Sequence, residues 1–458
     1  MPIASTNPAT GETEQVFEPH DRAEVERRIA RADAAFGALK RTTFRQRAEW
    51  MSAAADILDA EREHIAEMMT REMGKPITAA RAEAAKCAKG MRFYAAHAEE
   101  MLADEPLANP ERVNASRAWA RYEPLGVILA VMPWNFPFWQ VIRFAAPALM
   151  AGNTGLLKHA SNVPQAALYL DGVFTRAGFP EGAFSTVLIG SRDVDAIIKD
   201  PRVKAVTLTG SEPAGRAVAS SAAAEVKKAV LELGGSDPFI VMPSADLDEA
   251  VATAVTARTQ NNGQSCIAAK RFIVHADVYE RFTEKFVAAM RALTVGDPLD
   301  ERTQIGPIAT ASGRDDLVEL VADARAKGAR VLTGGEVPDG AGWFYPPTVV
   351  AEVTPAMRLH LEEAFGPVAT VYSVPGVAEA IELANATPFG LSSAVWTTDA
   401  AEQQRFVAEV DAGGVFINGM TISYPELAFG GIKNSGFGRE LGEVGMKEFC
   451  NMKTVWAA

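Results

Sequence analysis

The N-terminal part of the chain has the spacing of apolar residues that is typical of helices. From about residue 22 to residue 101 the sequence is rich in alanine, and apolar residues recur three or four positions apart, as at Val25, Ile29, Ala32 and Phe36. This period places apolar side chains on one face of a helix. We therefore predict a run of amphipathic helices over this part.

Beyond it, short β-rich runs alternate with helical stretches. Five such runs follow Gly126: VILAVM from Val127, TGLLK from Thr154, FSTVLIG from Phe184, VKAVTLTG from Val203 and AVLELGG from Ala229. A helical pattern over residues 164–176 is one of the stretches between them. Because helices of this length connect parallel strands by right-handed crossovers, the pattern predicts a doubly wound parallel sheet.

The alternation resumes after Gly235 and predicts a second α/β domain. Its predicted elements are the strand DPFIVM, a helix from about Asp246, the strand RFIVH from Arg271, a helix from Val278, and the strands FGPVATVYSV, SSAVWT and GGVFIN. No Gly/Ser-rich linker separates the two halves, so we expect them to pack closely. Residues 112–125 and the segment from about Lys433 are predicted to be two appendages whose strands could add to the sheet of a partner.

Composition limits the partners and the compartment. With 45 Lys and Arg against 58 Asp and Glu, the formal net charge is −13, which argues against nucleic acid as the main partner. Three scattered cysteines are too few for a disulfide framework or a Cys-rich zinc site, and they favour a reducing compartment. The first twenty residues lack a basic leader and an apolar core, and prolines interrupt the most apolar stretch, residues 126–150. We therefore expect a cytoplasmic protein without a membrane span.

Cys266 is the first candidate for chemistry. It lies in NNGQSCIAAKR, between a predicted helix and a predicted strand. A lone cysteine is more often an inert buried residue, and a thiol with a pKa of about 8.5 ionises at neutral pH only with help from a base or a backbone dipole. No histidine lies near it in the sequence, and the six histidines show no spacing typical of a metal site or a catalytic triad. A nucleophile and a packing residue both remain open.

Two polar residues in apolar surroundings are further candidates. Glu232 ends an apolar strand in LELGG, where burial would raise the pKa of its carboxyl toward the range of a general base. A solvent-exposed strand end is the alternative. Asn135 lies between prolines in MPWNFPFW, and its amide could stabilise an oxyanion or only satisfy its own turn.

A third set of residues could contact a phosphate. In VTLTGSEPAGRAV a strand leads into Gly210, Ser211 and Gly215, with Pro213 in a first helical turn, and backbone amides at the start of a helix bind anions. Lys158 places a cation at the end of a strand, where doubly wound sheets bind ligands. A simple helix cap and a solvated lysine are the alternatives.

Taken together, these segments resemble the NAD(P)-dependent aldehyde dehydrogenase superfamily. The motifs stand in the family's order and spacing over nearly the whole chain: NPATGE at 7–12, PWNFP at 133–137, LTGS at 208–211, LELGG at 231–235, GQSC at 263–266, EEAFGPV at 362–368 and FGGIKNSGFGRE at 429–440. The resemblance implies an α/β, aldehyde-dehydrogenase-like fold. Its parts would be a Rossmann-type doubly wound cofactor-binding domain (1–111 and 126–233), an α/β catalytic domain (234–432) and a small β oligomerisation element (112–125 and 433–458) of a homodimer or homotetramer.

The resemblance also implies the site. Cys266 would be the nucleophile, Glu232 the general base, and Asn135 with the backbone amide of Cys266 the oxyanion hole. No metal is expected. Cofactor contacts are implied for Trp134, Lys158, Ser161, Gly210, Ser211, Gly215, Glu363 and Phe365.

Three positions refine what the resemblance implies. Arg143, nine residues after Trp134, resembles the carboxylate-binding arginine of succinate-semialdehyde dehydrogenases, and Ser423 falls where those enzymes carry a substrate-binding serine. The implied reaction is oxidation of succinate semialdehyde to succinate through a cysteine thiohemiacetal and thioester; for Arg143, pairing with a neighbouring acid is the alternative. Many NAD-selective relatives carry a glutamate at the position of Ser161, so NADP+ is the expected cofactor, with NAD+ possible. The alternative functions are a broader aldehyde or lactaldehyde dehydrogenase and, from another class, a cysteine-dependent hydrolase without nicotinamide cofactor.

Overall fold

The computed structural model describes residues 2–458, and it confirms the helical N-terminal part. A hairpin of β1 (Ile3–Thr6) and β2 (Thr13–Phe17) comes first. Four helices follow: α1 (Arg22–Leu39), α2 (Phe44–Ala60), α3 (Arg62–Met73) and α4 (Ile77–Met101). The side chains of Asp21 and Thr43 cap α1 and α2 by accepting backbone N–H groups of the first turn. Helix α3 ends at Gly74, whose φ of 76° is left-handed and therefore suits glycine.

The predicted doubly wound sheet is present in the next part. After β3 (Glu105–Pro106) and β4 (Arg117–Pro124), its elements are β5 (Val127–Met132), α5 (Trp139–Ala151), β6 (Thr154–His159), α6 (Pro164–Arg176), β7 (Phe184–Thr186), α7 (Val194–Lys199), β8 (Val203–Thr209), α8 (Glu212–Ala224) and β9 (Lys228–Glu232). These strands pair in parallel in the order β9-β8-β5-β6-β7. The strand predicted from FSTVLIG is wrong beyond Thr186, because β7 ends there.

The second α/β part is also present, and it contains elements that the sequence did not predict. Its elements are β10 (Pro238–Val241), α9 (Leu247–Thr259), β11 (Arg271–His275), α10 (Ala276–Arg291), α11 (Ala311–Ala326), β12 (Arg330–Thr333), β13 (Thr348–Ala351), α12 (Arg358–Leu361), β14 (Val368–Val374), α13 (Val377–Asn385), β15 (Ser393–Trp396), α14 (Ala400–Glu409) and β16 (Val415–Ile417). The unpredicted elements are those between α10 and β14 and the helices α13 and α14. The sheet order is β12-β13-β14-β11-β10-β15-β16, and only β12 and β13 pair antiparallel.

The C-terminal segment returns to the first part of the molecule through β17 (Gly436–Phe437), α15 (Gly442–Lys447) and β18 (Cys450–Ala457). Strand β17 pairs antiparallel with β9, and β18 pairs antiparallel with all of β4, which has β3 on its other side. Within residues 2–458, no further strand covers the outer edge of β18. The predicted domain bounds stay a prediction, and strand pairing crosses them at β3 and β17.

Both large sheets are buried on their two faces, as their apolar strands require. In β5, Ile128 packs in one apolar cluster and its neighbours Val127 and Leu129 pack in another. In β10, Ile240 and Phe239 divide between two clusters in the same way. Among the residues that the structure describes, no helix has both the length and the apolar character needed to cross a membrane.

Candidate active site

The loop before Cys266 has an unusual backbone that its neighbours hold in place. After α9 the chain turns through three left-handed residues, Asn261, Asn262 and Gly263, with φ of 55°, 58° and 74°. The buried amide of Asn262 stabilises this turn, since its Nδ2 donates to the carbonyl of Gly74 at 2.8 Å. A Cβ on Gly263 would lie 2.4 Å from backbone of a neighbouring loop, so only glycine fits there. The thiol of Cys266 therefore stands on a rigid loop.

A buried lysine fixes the two carbonyls around the thiol. Lys270 Nζ donates to the carbonyl of Ser265 at 2.9 Å and to that of Cys266 at 2.8 Å. It also forms an ion pair with Glu363 at 3.0 Å. The carbonyl oxygen of Cys266 packs closely against Gly235, because a Cβ at this glycine would lie 2.6 Å from that oxygen.

The Cys266 thiol is protonated in this arrangement. Burial raises its pKa to about 12, and the positive charges of Arg143 and Lys270 oppose this shift without cancelling it. Because the thiolate is the nucleophilic form, attack on a substrate requires removal of this proton.

Asn135 lies beside the same loop. It is buried in the turn between β5 and α5, where its Nδ2 donates to the carbonyl of Gln264 at 3.0 Å. The backbone carbonyl of Asn135 accepts from Nδ2 of Asn261 at 2.6 Å. A carboxamide nitrogen carries two hydrogens, so one N–H remains for an oxygen next to Cys266.

A cavity of about 280 Å³ opens on one side of Cys266. Trp134 and Phe365 flank it with their rings in edge-to-face contact, 5.7 Å between centroids. Gly234 leaves room for it, since a Cβ there would lie 2.5 Å from Glu363 Oε2. We call this cavity the groove. The predicted cofactor residues that line it are Trp134, Gly210, Ser211, Glu363 and Phe365.

The other predicted cofactor residues lie around the ends of the parallel strands. Lys158 lies near the end of β6 and is buried, and this burial lowers the pKa of its ammonium. It has no ion-pair partner within residues 2–458. Ser161 follows in the turn after β6 and is half-buried, and its side chain is uncharged. Gly215 lets α8 pack closely, because a Cβ there would lie 2.6 Å from Leu233.

Glu232 lies apart from the groove. Leu233 and Gly234 line the groove, whereas the carboxylate of Glu232 is fully buried and accepts no hydrogen bond from any described residue. Burial and the charge of Glu440 raise its pKa well above the usual range. The backbone of Gly430 packs directly against this carboxylate, because a Cβ on Gly430 would lie 2.6 Å from Oε1 of Glu232.

A second, narrow cavity of about 60 Å³ lies on the other side of Cys266. Cys266 and Gln140 line both this cavity and the groove. We call the narrow cavity the pocket. Its remaining lining residues are Lys86, Phe136, Trp139, Arg143, Gln260, Ser265, Ile267, Ile422, Ser423 and Phe429. The structure thus brings both predicted substrate residues, Arg143 and Ser423, into one cavity with the thiol.

Arg143 reaches the pocket but its charge is already balanced. Its Nε pairs with Oε2 of Glu440, and both side chains are buried. Its Nη2 contacts Oγ1 of Thr209 at 3.3 Å, and the guanidinium lies over the ring of Phe429. Arg143 therefore both pairs with an acid, which was the alternative to binding substrate, and lines the pocket.

Sequence reasoning missed Lys86. Its Nζ donates to Oγ of Ser423 at 2.8 Å and lies 4.3 Å from the ring centroid of Trp139. Burial and the nearby charge of Arg143 lower its pKa to about 8. A lysine in an alanine-rich helix is usually expected to be solvent-exposed. Lys86, however, lies three residues after the buried Glu83 and four before the buried Gly90, and this spacing places it on the buried face of α4.

Comparisons with known proteins identify the family of the chain. The model of the "Aldehyde dehydrogenase family" matches residues 1–455. A Mycobacterium avium protein named succinate-semialdehyde dehydrogenase, with NADP(+) in its name, is 64% identical over 100% of this chain and 97% of its own length. A Mycobacterium tuberculosis protein of the same name is 62% identical, with 100% of both chains covered. The crystal structure of succinic semialdehyde dehydrogenase from Streptococcus pyogenes in complex with NADP+ superimposes with a TM-score of 0.96 at 35% identity, covering 99% of each chain. The chain belongs to the aldehyde dehydrogenase family.

Proposed function

We propose that this chain oxidises succinate semialdehyde to succinate with NADP+ as the cofactor. The observation that carries the proposal is the position of Cys266, which lines both the groove and the pocket. The pocket contains cationic and hydroxyl side chains that suit a carboxylate, namely those of Lys86, Arg143 and Ser423. The mycobacterial relatives, at more than 60% identity over the whole chain, carry the name of this activity.

The groove residues fit a dinucleotide. Gly234 keeps open a space that a Cβ would fill, and Glu363 lies beside it with a carboxylate that can accept from ribose hydroxyls. Lys158 supplies a buried ammonium at the end of β6 for the adenine-side sugar, and Gly210 and Ser211 lie at the start of α8. The chemistry that a bound nicotinamide supplies is hydride acceptance.

The residues of the chain carry the remaining chemistry. Glu232, as general base, takes the proton of the Cys266 thiol and passes it to solvent. The thiolate attacks the aldehyde carbon, and the free N–H of Asn135 with the backbone amide of Cys266 stabilises the resulting oxyanion. Oxidation of this thiohemiacetal leaves a thioester on the same sulfur. Glu232 then takes a proton from the water that hydrolyses the thioester. For this step its carboxylate moves from its buried position toward the thiol, where contact with water lowers its pKa.

The preference for NADP+ rests on Ser161. A glutamate at this position would repel a 2′-phosphate, whereas a serine leaves room and offers a hydroxyl three residues after Lys158. The expected result is a higher kcat/KM with NADP+ than with NAD+. A Ser161→Glu variant should lose activity with NADP+ and keep activity with NAD+. Equal kcat/KM values for the two cofactors in the unchanged chain would contradict this assignment.

The test of the reaction is the near-ultraviolet absorbance of NADPH formed with succinate semialdehyde, lactaldehyde or butanal as substrate. We expect the highest kcat/KM with succinate semialdehyde. Cys266→Ala should form no NADPH, whereas Cys450→Ala, which removes a buried thiol in β18, should remain active. NADPH formation by Cys266→Ala, or none by the unchanged chain with succinate semialdehyde, would refute the proposal.

We infer further that copies of the chain assemble through β18 into a homodimer or homotetramer in the cytoplasm. An antiparallel strand with an open edge can pair with a second copy, and β18 has such an edge among the described residues. The three free thiols fit a reducing compartment. Light scattering that finds a monomer would exclude the assembly.

A further inference from the structure

The pocket contains two cations in different electrostatic situations. Arg143 forms its ion pair with Glu440 while both side chains are almost completely buried, so the two together carry no net charge. Lys86 has no carboxylate within ion-pair distance among residues 2–458. The acid closest to it along α4, Glu83, is paired with Lys75 and accepts the backbone N–H groups of Phe138 and Trp139. The uncompensated positive charge of the pocket is therefore on Lys86.

The contacts of Lys86 leave part of its ammonium uncommitted. An ammonium donates three hydrogen bonds, and one goes to Oγ of Ser423 at 2.8 Å. The face of the Trp139 ring, 4.3 Å away, adds a cation–π contact. Neither contact supplies a negative charge, and a half-buried cation in a pocket without one is destabilised. An anion that enters the pocket would remove this destabilisation.

Ser423 is prepared to bind the same anion. Its oxygen accepts from Lys86 and from Nε1 of Trp139 at 3.0 Å, which uses its two acceptor sites. The hydroxyl hydrogen remains free to donate. One carboxylate could then accept from the Ser423 hydroxyl and from the Lys86 ammonium at once, while Cys266 lines the same cavity of about 60 Å³.

We propose that Lys86, acting with Ser423, is a further residue that selects a substrate with a terminal carboxylate, beside Arg143, whose charge Glu440 offsets in part. This proposal rests on the proposed function and deepens it, because it assigns the charge that distinguishes succinate semialdehyde from an uncharged aldehyde of the same length. Arg143 can also donate a hydrogen bond to the carboxylate, and Glu440 offsets part of its charge. No sequence motif marks Lys86 for this role.

The experiment compares succinate semialdehyde with butanal, which has the same number of carbons and no carboxylate. In Lys86→Met the neutral side chain keeps much of the length, and we expect kcat/KM for succinate semialdehyde to fall about 10- to 150-fold, the effect of one charged hydrogen bond. The loss should appear mainly in KM, because binding of the carboxylate is remote from the sulfur. Activity with butanal should fall far less, because this substrate has no carboxylate. Lys86→Arg should restore part of the lost activity.

Two controls make the outcomes decisive. Lys89→Met changes an exposed lysine on the same helix and should leave both substrates unaffected. Butanal turnover and the thermal midpoint report whether Lys86→Met is folded. A Lys86→Met enzyme that keeps the full preference of the unchanged enzyme for succinate semialdehyde, or that loses both substrates equally without rescue by arginine, overturns the role of Lys86. An unchanged enzyme with no preference for succinate semialdehyde overturns the proposed substrate instead, together with this role.

Discussion

Arg143→Met removes one charge from a buried ion pair and leaves Glu440 without its partner. Both side chains are about 3–4% exposed, so solvent screens the pair little. Breaking such a pair from one side costs roughly 3–5 kcal/mol. The remaining carboxylate keeps only a long contact with Oγ1 of Thr207, at 3.4 Å. We therefore expect Arg143→Met to be destabilised and to lose activity with both succinate semialdehyde and butanal, because the charge of Arg143 lowers the pKa of both Glu232 and Cys266.

The assay is a double-mutant cycle with Glu440→Gln, followed by the midpoint of thermal unfolding and by kcat/KM. Each single variant should lower the midpoint by roughly 5 °C, and the double variant should lose much less than the sum because no charge is left unpaired. Arg405→Met, which breaks an exposed pair with Glu409, is the control and should change the midpoint little. Strictly additive losses, or an Arg143→Met enzyme of normal stability that fails only with succinate semialdehyde, would refute this reasoning.

Three further outcomes follow from the contacts around the thiol. Alkylation of Cys266 in the cofactor-free enzyme should be slow at neutral pH and should accelerate as the pH rises, because its pKa is about 12; fast alkylation at pH 7 would contradict the protonated resting state. Gly235→Ala should lower kcat at least about tenfold, since its Cβ would lie 2.6 Å from a backbone oxygen, whereas Gly172→Ala, with no atom within 4 Å of the added Cβ, should be silent. The KM for succinate semialdehyde should rise above about pH 8, where Lys86 loses its charge, and the KM for butanal should not; parallel pH profiles would argue against this. The titratable groups whose charges act on Lys86 are Arg143, Cys87, Glu83 and Lys75.

The fold was predictable where local pattern and tertiary structure agree. The helical pattern at residues 164–176 coincides with α6, and Asp246 caps the helix that was predicted to begin there. The run FSTVLIG misled, because Val187, Leu188 and Ile189 are buried without being part of a strand. An apolar run indicates burial, and only its partners decide whether it forms a strand.

The site was predictable in its motifs but not in its charge balance. Cys266, Asn135 and the groove residues belong to local motifs, and the structure places them together. The pairing of Arg143 with Glu440, and the contact of Lys86 with Ser423, join residues far apart in the chain. No local pattern encodes such contacts, so the sequence left the partner of Arg143 open and did not show that Lys86 contacts Ser423.

The ammonium of Lys270 links the two sides of the reaction centre. It holds the carbonyls that flank the sulfur and also attracts Glu363, which faces the groove. The negative charge of Glu363 opposes ionisation of the thiol, whereas the positive charge of Lys270 favours it. Any ligand that draws Glu363 away from this ammonium would therefore make the sulfur a stronger acid. Through this shared cation, a ligand in the groove can change the pKa of the thiol that reacts with a substrate in the pocket.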